Sequence, residues 1–317
     1  MGMMMATKFS YQKKICNLNT LNELKKIYDS NNLKNVLGRT DMSTTRAAVI
    51  GSPVTHSLSP LLHNAAFNSL GMDWEYLALE ITESELDEVL AQMRSGNLGG
   101  LSVTMPLKTR VASLVDECTS TAEKLSAVNC VVANEKGLIG HNTDGDGFLN
   151  GLIHEAQFDP KGKKVAVIGA GGAARAVIEA LARSGAASIM VVNRTPAKAE
   201  SAADLAGEVG AVGTLEDISG ADLVVNATSI GMKDSQVDIP CSVDLLHSSQ
   251  LVVDLIYHPL ETRWISLAKQ KGIDSYNGVS MLLFQAAEAF TLWTGEEAPT
   301  SIMQEAITQE LEKRTQN

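Results

Sequence analysis

Cysteine, proline and aromatic residues are all scarce in this chain. Of 317 residues only 4 are cysteine and 8 proline, and Phe, Trp and Tyr together make up 4%. Cys16, Cys118, Cys130 and Cys241 show no short paired spacing, which excludes a disulfide-dense scaffold and a structural zinc; it points to a reducing compartment, and a cytoplasmic location is expected. Positive charge is also in deficit, with 26 Lys and Arg against 37 Asp and Glu and a formal net charge of -11. No nucleic-acid partner is expected, and an anionic ligand must be held by local cations and backbone amides. No apolar run reaches the roughly 20 residues of a membrane-spanning helix, because Arg175, Glu179 and Arg183 interrupt even the alanine-rich stretch. No membrane partner is expected either. His56 and His63 lack the spacing of metal ligands, so no metal site is expected.

What the chain does have is 44% hydrophobic residues, enough for two cores, and an alternation of strand and helix patterns. Residues 1–44 stand apart. They contain Lys13-Lys14, Lys25-Lys26 and the polar run Asp29-Ser30-Asn31-Asn32. They lack a secretory apolar core, and Glu23, Asp29 and Asp41 argue against an organellar transit peptide. They read as a leader whose role the residues do not define, with room for one short helix through Leu21, Leu24, Ile27 and Tyr28.

From Arg46 onward the pattern is regular. Residues 47–51 and 74–81 read as strands, Ser59-Pro60 as the cap and start of a helix that stops near Gly71, and Thr82 with Glu85 as a capping box. Residues 98–104 return as strand, and the short connections favour a parallel sheet. The segments 129–133 and 138–142 flank the turn Asn134-Glu135-Lys136-Gly137 as an edge hairpin. Further strands are expected at 223–226 and 251–255.

Residues 163–168 form a buried apolar strand ending in Gly169-Ala170-Gly171-Gly172-Ala173-Ala174, and a helix follows to about Ser184. Gly169, Gly171 and Ala174 fit the dinucleotide-binding spacing, in which the first glycine permits a tight turn, the second admits the pyrophosphate and the third position lets helix and sheet pack closely. Phosphates would meet free N–H groups at the helix start. The next strand, 187–193, ends in Asn193-Arg194-Thr195. An NAD-preferring site would place a carboxylate there against the ribose 2′-hydroxyl, whereas Arg194 attracts a 2′-phosphate. The expected cofactor is therefore NADP(H).

Hydride transfer to a ketone builds negative charge on the carbonyl oxygen, which needs a positioned cation or proton donor. Lys108, in Ser-Val-Thr-Met-Pro-Leu-Lys, and Asp144, in Asn-Thr-Asp-Gly-Asp-Gly, are the candidate proton-transfer pair. Taken singly, Lys108 reads as a surface lysine at a helix start and Asp144 as a turn residue. Their pattern acquires meaning together with Gly51-Ser52-Pro53, His56-Ser57-Leu58-Ser59-Pro60, Ala127-Val128-Asn129, Asn226-Ala227-Thr228-Ser229-Ile230-Gly231-Met232, Tyr257-His258-Pro259 with Glu261-Thr262, and Gly278 with Met281-Leu282 and Gln285-Ala286-Ala287. With these ordered motifs the chain, from about Arg46 to its C-terminal region, resembles the shikimate dehydrogenases.

The resemblance implies reversible NADPH-dependent reduction of 3-dehydroshikimate to shikimate, on the route to chorismate and the aromatic amino acids, by a monomer or homodimer. Related alternatives are a quinate/shikimate dehydrogenase and a noncatalytic NADP-sensing regulator on the same scaffold. It assigns Ser57, Ser59 and Tyr257 to the substrate carboxylate, and Thr104, Asn129 and Gln285 with Lys108 and Asp144 to the ring hydroxyls. Gly169–Ala173, Asn193, Arg194, Thr195, Thr228, Met232 and Gly278 are assigned to the cofactor. Two hydroxyls suit a carboxylate, and amides suit a polyhydroxylated ring. The implied fold is α/β with two domains and a cleft between them: a substrate domain over residues 45–145, completed by C-terminal helices at 279–317, and a Rossmann-type NADP domain over 146–278. Ser102, Met105, Leu107 and Cys130 depart from residues common in the family, and none of them removes a proposed catalytic group.

Overall fold

The computed structural model describes residues 26–28, 44–232 and 238–316. Contacts divide these into two compact units: one holds the chain up to Ala122, Ser126–His141 and Ala289 onward, the other Glu123–Leu125 and Asn142–Glu288. Both are α/β.

The first unit is built on a seven-stranded sheet. Its elements in chain order are β1 (Lys26–Tyr28), β2 (Thr45–Gly51), α1 (Ser59–Leu70), β3 (Trp74–Glu80), α2 (Leu86–Arg94), β4 (Gly100–Val103), α3 (Lys108–Ala112), β5 (Glu117–Cys118), the first half of α4 (Ser120–Leu125), β6 (Cys130–Asn134) and β7 (Gly137–His141). The spatial order is β1-β3-β2-β4-β6-β7-β5. Strands β1 to β4 run parallel, as short βα connections require, and the β6–β7 hairpin enters antiparallel to β4. One face is packed by Leu86, Val89, Leu90 and Met93 of α2 against Ile50, Leu77, Leu79 and Leu101. On an aromatic side, His63 stacks on Tyr76 with centroids 4.3 Å apart, next to Trp293 at 5.2 Å. Gly100 has no room for a Cβ because the Trp293 ring fills that space, and Trp293 Nε1 donates to the Val131 carbonyl at 3.1 Å.

Two sequence expectations need correction. Ile27 and Tyr28 do not continue a helix: with Lys26 they form β1, in parallel register with Leu77, Ala78 and Leu79. A β-branched and an aromatic side chain favour a strand where the open edge of β3 offers free backbone groups. Leu21 and Leu24 lie outside the described residues. Ser59 is the first helical residue of α1 and not its cap; Leu58 holds the N-cap position and no side chain caps the helix. Ser59 instead donates its backbone N–H to Ser57 Oγ at 3.2 Å.

The second unit contains α5 (Asp144–Ala156), β8 (Lys164–Ile168), α6 (Gly172–Arg183), β9 (Ser188–Val192), α7 (Pro196–Ala203), β10 (Gly210–Val212), β11 (Leu223–Asn226), β12 (Leu251–Asp254), α8 (Arg263–Gln270), β13 (Asp274–Tyr276) and most of α9 (Val279–Thr294); the final helix, α10 (Thr300–Gln316), belongs to the first unit. The sheet order β10-β9-β8-β11-β12-β13 is all parallel. Numbered from β8, that is 3-2-1-4-5-6, the doubly wound dinucleotide-binding order. Strands β8, β11 and β12 are buried on both faces, which explains their continuous apolar sequences.

Candidate functional site

In the first unit the candidate substrate residues gather at one edge of the sheet, outside the carboxyl ends of β2 and β4. The chain leaves β2 at Gly51, and a Cβ there would collide with Thr104 Cγ2, so the loop carrying Ser57 and the loop carrying Thr104 lie side by side. Thr104 donates its N–H to Ile50 O at 2.8 Å, and Ser52 donates to Met105 O at 3.0 Å. Thr104 also accepts from Leu107 N–H at 3.0 Å, a turn that delivers Lys108 as the first residue of α3. Asn129 is brought to the same edge because β6 is antiparallel: Val103 N–H donates to its carbonyl at 2.7 Å, and Val128 N–H to the Lys108 carbonyl at 3.0 Å. Lys108 and Thr104 are half-buried and Asn129 is buried.

In the second unit Asp144 opens α5, buried, with its N–H given to Asn142 Oδ1 at 3.2 Å. Gln285 lies half-buried in α9, and the Thr143 hydroxyl donates to its backbone carbonyl at 3.0 Å. Tyr257 follows β12, half-buried. Its segment also holds a cis His258-Pro259 bond, as the loops above hold cis Ser52-Pro53 and Met105-Pro106.

The candidate cofactor residues form a second group, at the carboxyl ends of β8, β9 and β11. Gly169 has φ +116 and would place a Cβ 2.9 Å from Ala227 O, so only glycine makes this turn without strain. Gly171 and Gly172 face open space within 4 Å. Gly171 is the N-cap of α6, with no side chain occupying the first-turn N–H groups, and Ala170 and Ala173 flank it. Backbone donors, a helix N-terminus and the space for an anion therefore coincide, as a pyrophosphate requires. Gly169 N–H bonds Val192 O at 2.8 Å, which sets the 193–195 loop beside the glycine turn. Asn193 Nδ2 ties that loop to Thr195 O at 3.0 Å. Arg194 is exposed, and among the described residues its guanidinium has no hydrogen-bond or ion-pair partner. These residues fit NADP(H): a cradle for the diphosphate and a cation beyond the second strand.

Thr228 and Met232 sit on the loop after β11. Thr228 Oγ1 donates to Asn226 Oδ1 at 2.7 Å and accepts from Ile230 N–H at 3.1 Å; Met232 is 48% exposed although large and apolar. Gly278 packs against the Leu255 carbonyl so closely that a Cβ has no place. Sequence reasoning misses what lies underneath. Asp254 is fully buried and accepts from Asn226 Nδ2 at 2.9 Å, Ile256 N–H at 3.2 Å and Thr262 Oγ1 at 2.7 Å. Burial pushes its carboxyl above the usual range, and these three bonds oppose the shift. The available signal was an acidic residue closing the apolar strand Leu-Val-Val-Asp. His63 carries no polar contact among the described residues, and burial lowers its pKa to about 3.

Three family models match in chain order: a shikimate dehydrogenase substrate binding domain over residues 49–131, a shikimate/quinate 5-dehydrogenase domain over 153–238 and a shikimate 5-dehydrogenase C-terminal domain over 278–308. The NADP(+) shikimate dehydrogenase of Moorella thermoacetica is 42% identical over 275 residues, covering 84% of this chain and 93% of that protein. The chain belongs to the shikimate dehydrogenase family. A solved shikimate 5-dehydrogenase of Thermus thermophilus, in complex with NADP(H) and shikimate, superposes with TM-score 0.78 at 39% identity, over 84% of this chain and 99% of that one. A quinate dehydrogenase of Corynebacterium glutamicum in complex with NAD gives TM-score 0.78 at 31% identity, over 84% and 99%. Family membership accounts for the two α/β units and for the order of the motifs. Among the described residues no helix is long and apolar enough to cross a membrane.

Proposed function

We infer that this protein is an NADP-dependent shikimate dehydrogenase, which reduces 3-dehydroshikimate to shikimate reversibly within the shikimate pathway. The observation that carries the reading is the convergence of Thr104, Lys108 and Asn129 at one sheet edge, fixed by the backbone bonds from Val128 to Lys108 and from Val103 to Asn129, in a member of this family.

NADPH supplies the hydride when bound. Lys108 stabilises the charge that grows on the reacting oxygen and delivers a proton to it, and Asp144 orients the reacting hydroxyl. Asn129, Thr104 and Gln285 hold the ring hydroxyls, while Ser57, Ser59 and Tyr257 hold the carboxylate through neutral donors. The first-turn N–H groups of α6 hold the diphosphate, and Arg194 holds the 2′-phosphate.

Arg194 favours shikimate oxidation with NADP over an NAD-linked quinate activity, and a substrate panel of shikimate and quinate with each cofactor tests both. Turnover of quinate with NAD alone would overturn the assignment, and absence of turnover with every pair would favour a binding protein on this scaffold. Lys108→Ala is expected to lower kcat by roughly 10²–10⁴-fold, the scale of one acid–base group, while NADP affinity stays near wild type. Normal turnover in the folded variant would remove Lys108 from the chemistry.

A further inference from the structure

Thr143, Gly147 and Gly151 repeat at four-residue spacing along one face of α5, and all three press against the first half of α9. Thr143 is fully buried and its hydroxyl donates to the Gln285 carbonyl at 3.0 Å. A Cβ on Gly147 would lie 2.6 Å from the Gln285 nitrogen, and one on Gly151 would lie 2.8 Å from Ser280 Oγ. On the other flank, a Cβ on Gly145 would lie 2.8 Å from Ala176 O in α6. At Gly145 and Gly147 the facing atoms are backbone, and at Gly151 they are those of the short Ser280 side chain, so the absence of a Cβ on α5 sets how closely the helices approach.

Thr143 stands at the N-cap of α5, where a threonine ordinarily accepts an N–H of the first turn. Its side chain makes no capping bond; Asn142 Oδ1 takes the Asp144 N–H instead. At the other end, the Gln285 carbonyl lies inside α9, where the helix ladder already offers it a donor. Neither helix needs the Thr143 bond for its own backbone. The bond joins the residue before Asp144 to the residue that carries the candidate substrate amide.

We propose that Thr143 is a positioning residue acting through Gln285: its hydroxyl fixes α9 on α5, so that the Gln285 amide and the Asp144 carboxylate face a polyhydroxylated substrate as one rigid pair. This rests on the reading of Gln285 and Asp144 as substrate-contacting groups. The Gln285 side chain donates to the Leu282 carbonyl at 2.9 Å, so its placement follows the α9 backbone.

The test uses the full chain and measures kcat and KM for shikimate, NADP affinity and amide hydrogen exchange. Thr143→Val keeps the shape and removes the hydroxyl; it is expected to lower kcat/KM for shikimate about tenfold, the scale of one hydrogen bond, with NADP affinity within about twofold. Thr143→Ser restores most of the loss, and exchange across residues 283–288 is faster in the Val variant than in the Ser variant. In a Gln285→Ala background Thr143→Val adds little, because coupled residues are not additive. A Val variant with wild-type kcat/KM and exchange, a Ser variant no better than Val, or a full additional loss in the Gln285→Ala background would each overturn the proposal. Should Thr143→Val not fold, Gly147→Ala displaces the same helix and is expected to show the same split; wild-type values there would overturn it equally. If wild type fails to oxidise shikimate with NADP, the functional reading falls, and hydrogen exchange still judges the clamp.

Discussion

At Arg194 one charge is proposed to separate two cofactors that differ by a 2′-phosphate. The side chain is exposed at the end of β9, beside a glycine turn held to Val192 by a 2.8 Å bond. Replacing it by aspartate removes an attractive cation and installs a carboxylate suited to a ribose hydroxyl. Arg194→Asp is therefore expected to lower the NADP-to-NAD ratio of kcat/KM by about 10–150-fold, equivalent to roughly 1.5–3 kcal/mol for a charged hydrogen bond. Lys198, exposed in the first turn of α7, retains part of the attraction, so NADP binding is weakened and not abolished. Steady-state kinetics with both cofactors decide it, and an unchanged ratio would mean that Arg194 does not read the phosphate. Ser57→Ala belongs to the same scale. Ser57 Oγ accepts the Ser59 N–H at 3.2 Å, and its loss is expected to raise the KM for shikimate while leaving that for NADP unchanged; equal KM values for shikimate would count against the carboxylate role. Arg194 was legible in the sequence as a candidate because it stands where an acid would mark NAD. Asp254 was not: an acid ending an apolar strand does not announce that Asn226, Ile256 and Thr262 all donate to it.

Among the elements, those with strong local patterns were legible, and those formed by edge pairing were not. Strands β8, β11 and β12 are runs of Val, Ile and Leu whose length and bounding polar residues define them. By contrast β10, β13 and β5 are Gly-Ala-Val, Asp-Ser-Tyr and Glu-Cys, two or three residues with little preference of their own. Each is an edge strand because its inner neighbour, β9, β12 or β7, would otherwise present unpaired backbone groups. The same cause turned Lys26–Tyr28 from an expected helix into β1. The sharp turn after β8 was legible for a physical reason that the geometry makes explicit: at φ +116 and 2.9 Å from Ala227 O, Gly169 has neither the backbone region nor the space for a side chain. Gly169→Ala is expected to destabilise the fold by roughly 1–3 kcal/mol through backbone strain and to weaken NADP binding, since the turn aims the first N–H groups of α6. Denaturant unfolding and cofactor titration check the two effects, and a variant normal in both would show that the turn tolerates a Cβ.

For the whole molecule, pH dependence follows from groups that no motif identifies. Glu288 on α9 is half-buried, and burial together with the Asp146 carboxylate raises its pKa to about 7, with Arg183 opposing. Arg183 is itself engaged, with Nη2 2.7 Å from Asp146 and Nε 3.4 Å from Glu179. Because the folded chain holds the Glu288 proton more tightly than the unfolded chain does, its contribution to stability is fully present below about 4.3, the unfolded glutamate value. It is lost as pH rises through about 7. Asp116 has the opposite sign: its bonds with Arg94 and the Leu138 N–H lower its pKa, so its contribution holds above the unfolded aspartate value and fades as pH falls through the folded one. Separating the two requires a substitution that abolishes one titration and keeps the shape. Glu288→Gln does so, and at pH 8 its Tm is expected to exceed that of wild type by roughly 2–8 °C, the shift that one or two kcal/mol produces in a domain of this size. At pH 4 the two proteins should melt nearly together, because wild type is then mostly protonated at this position in both the folded and the unfolded chain. A Tm difference that stays constant from pH 4 to pH 8 would mean that Glu288 does not titrate in that window, and that the charge cluster of α5, α6 and α9 holds it ionised throughout.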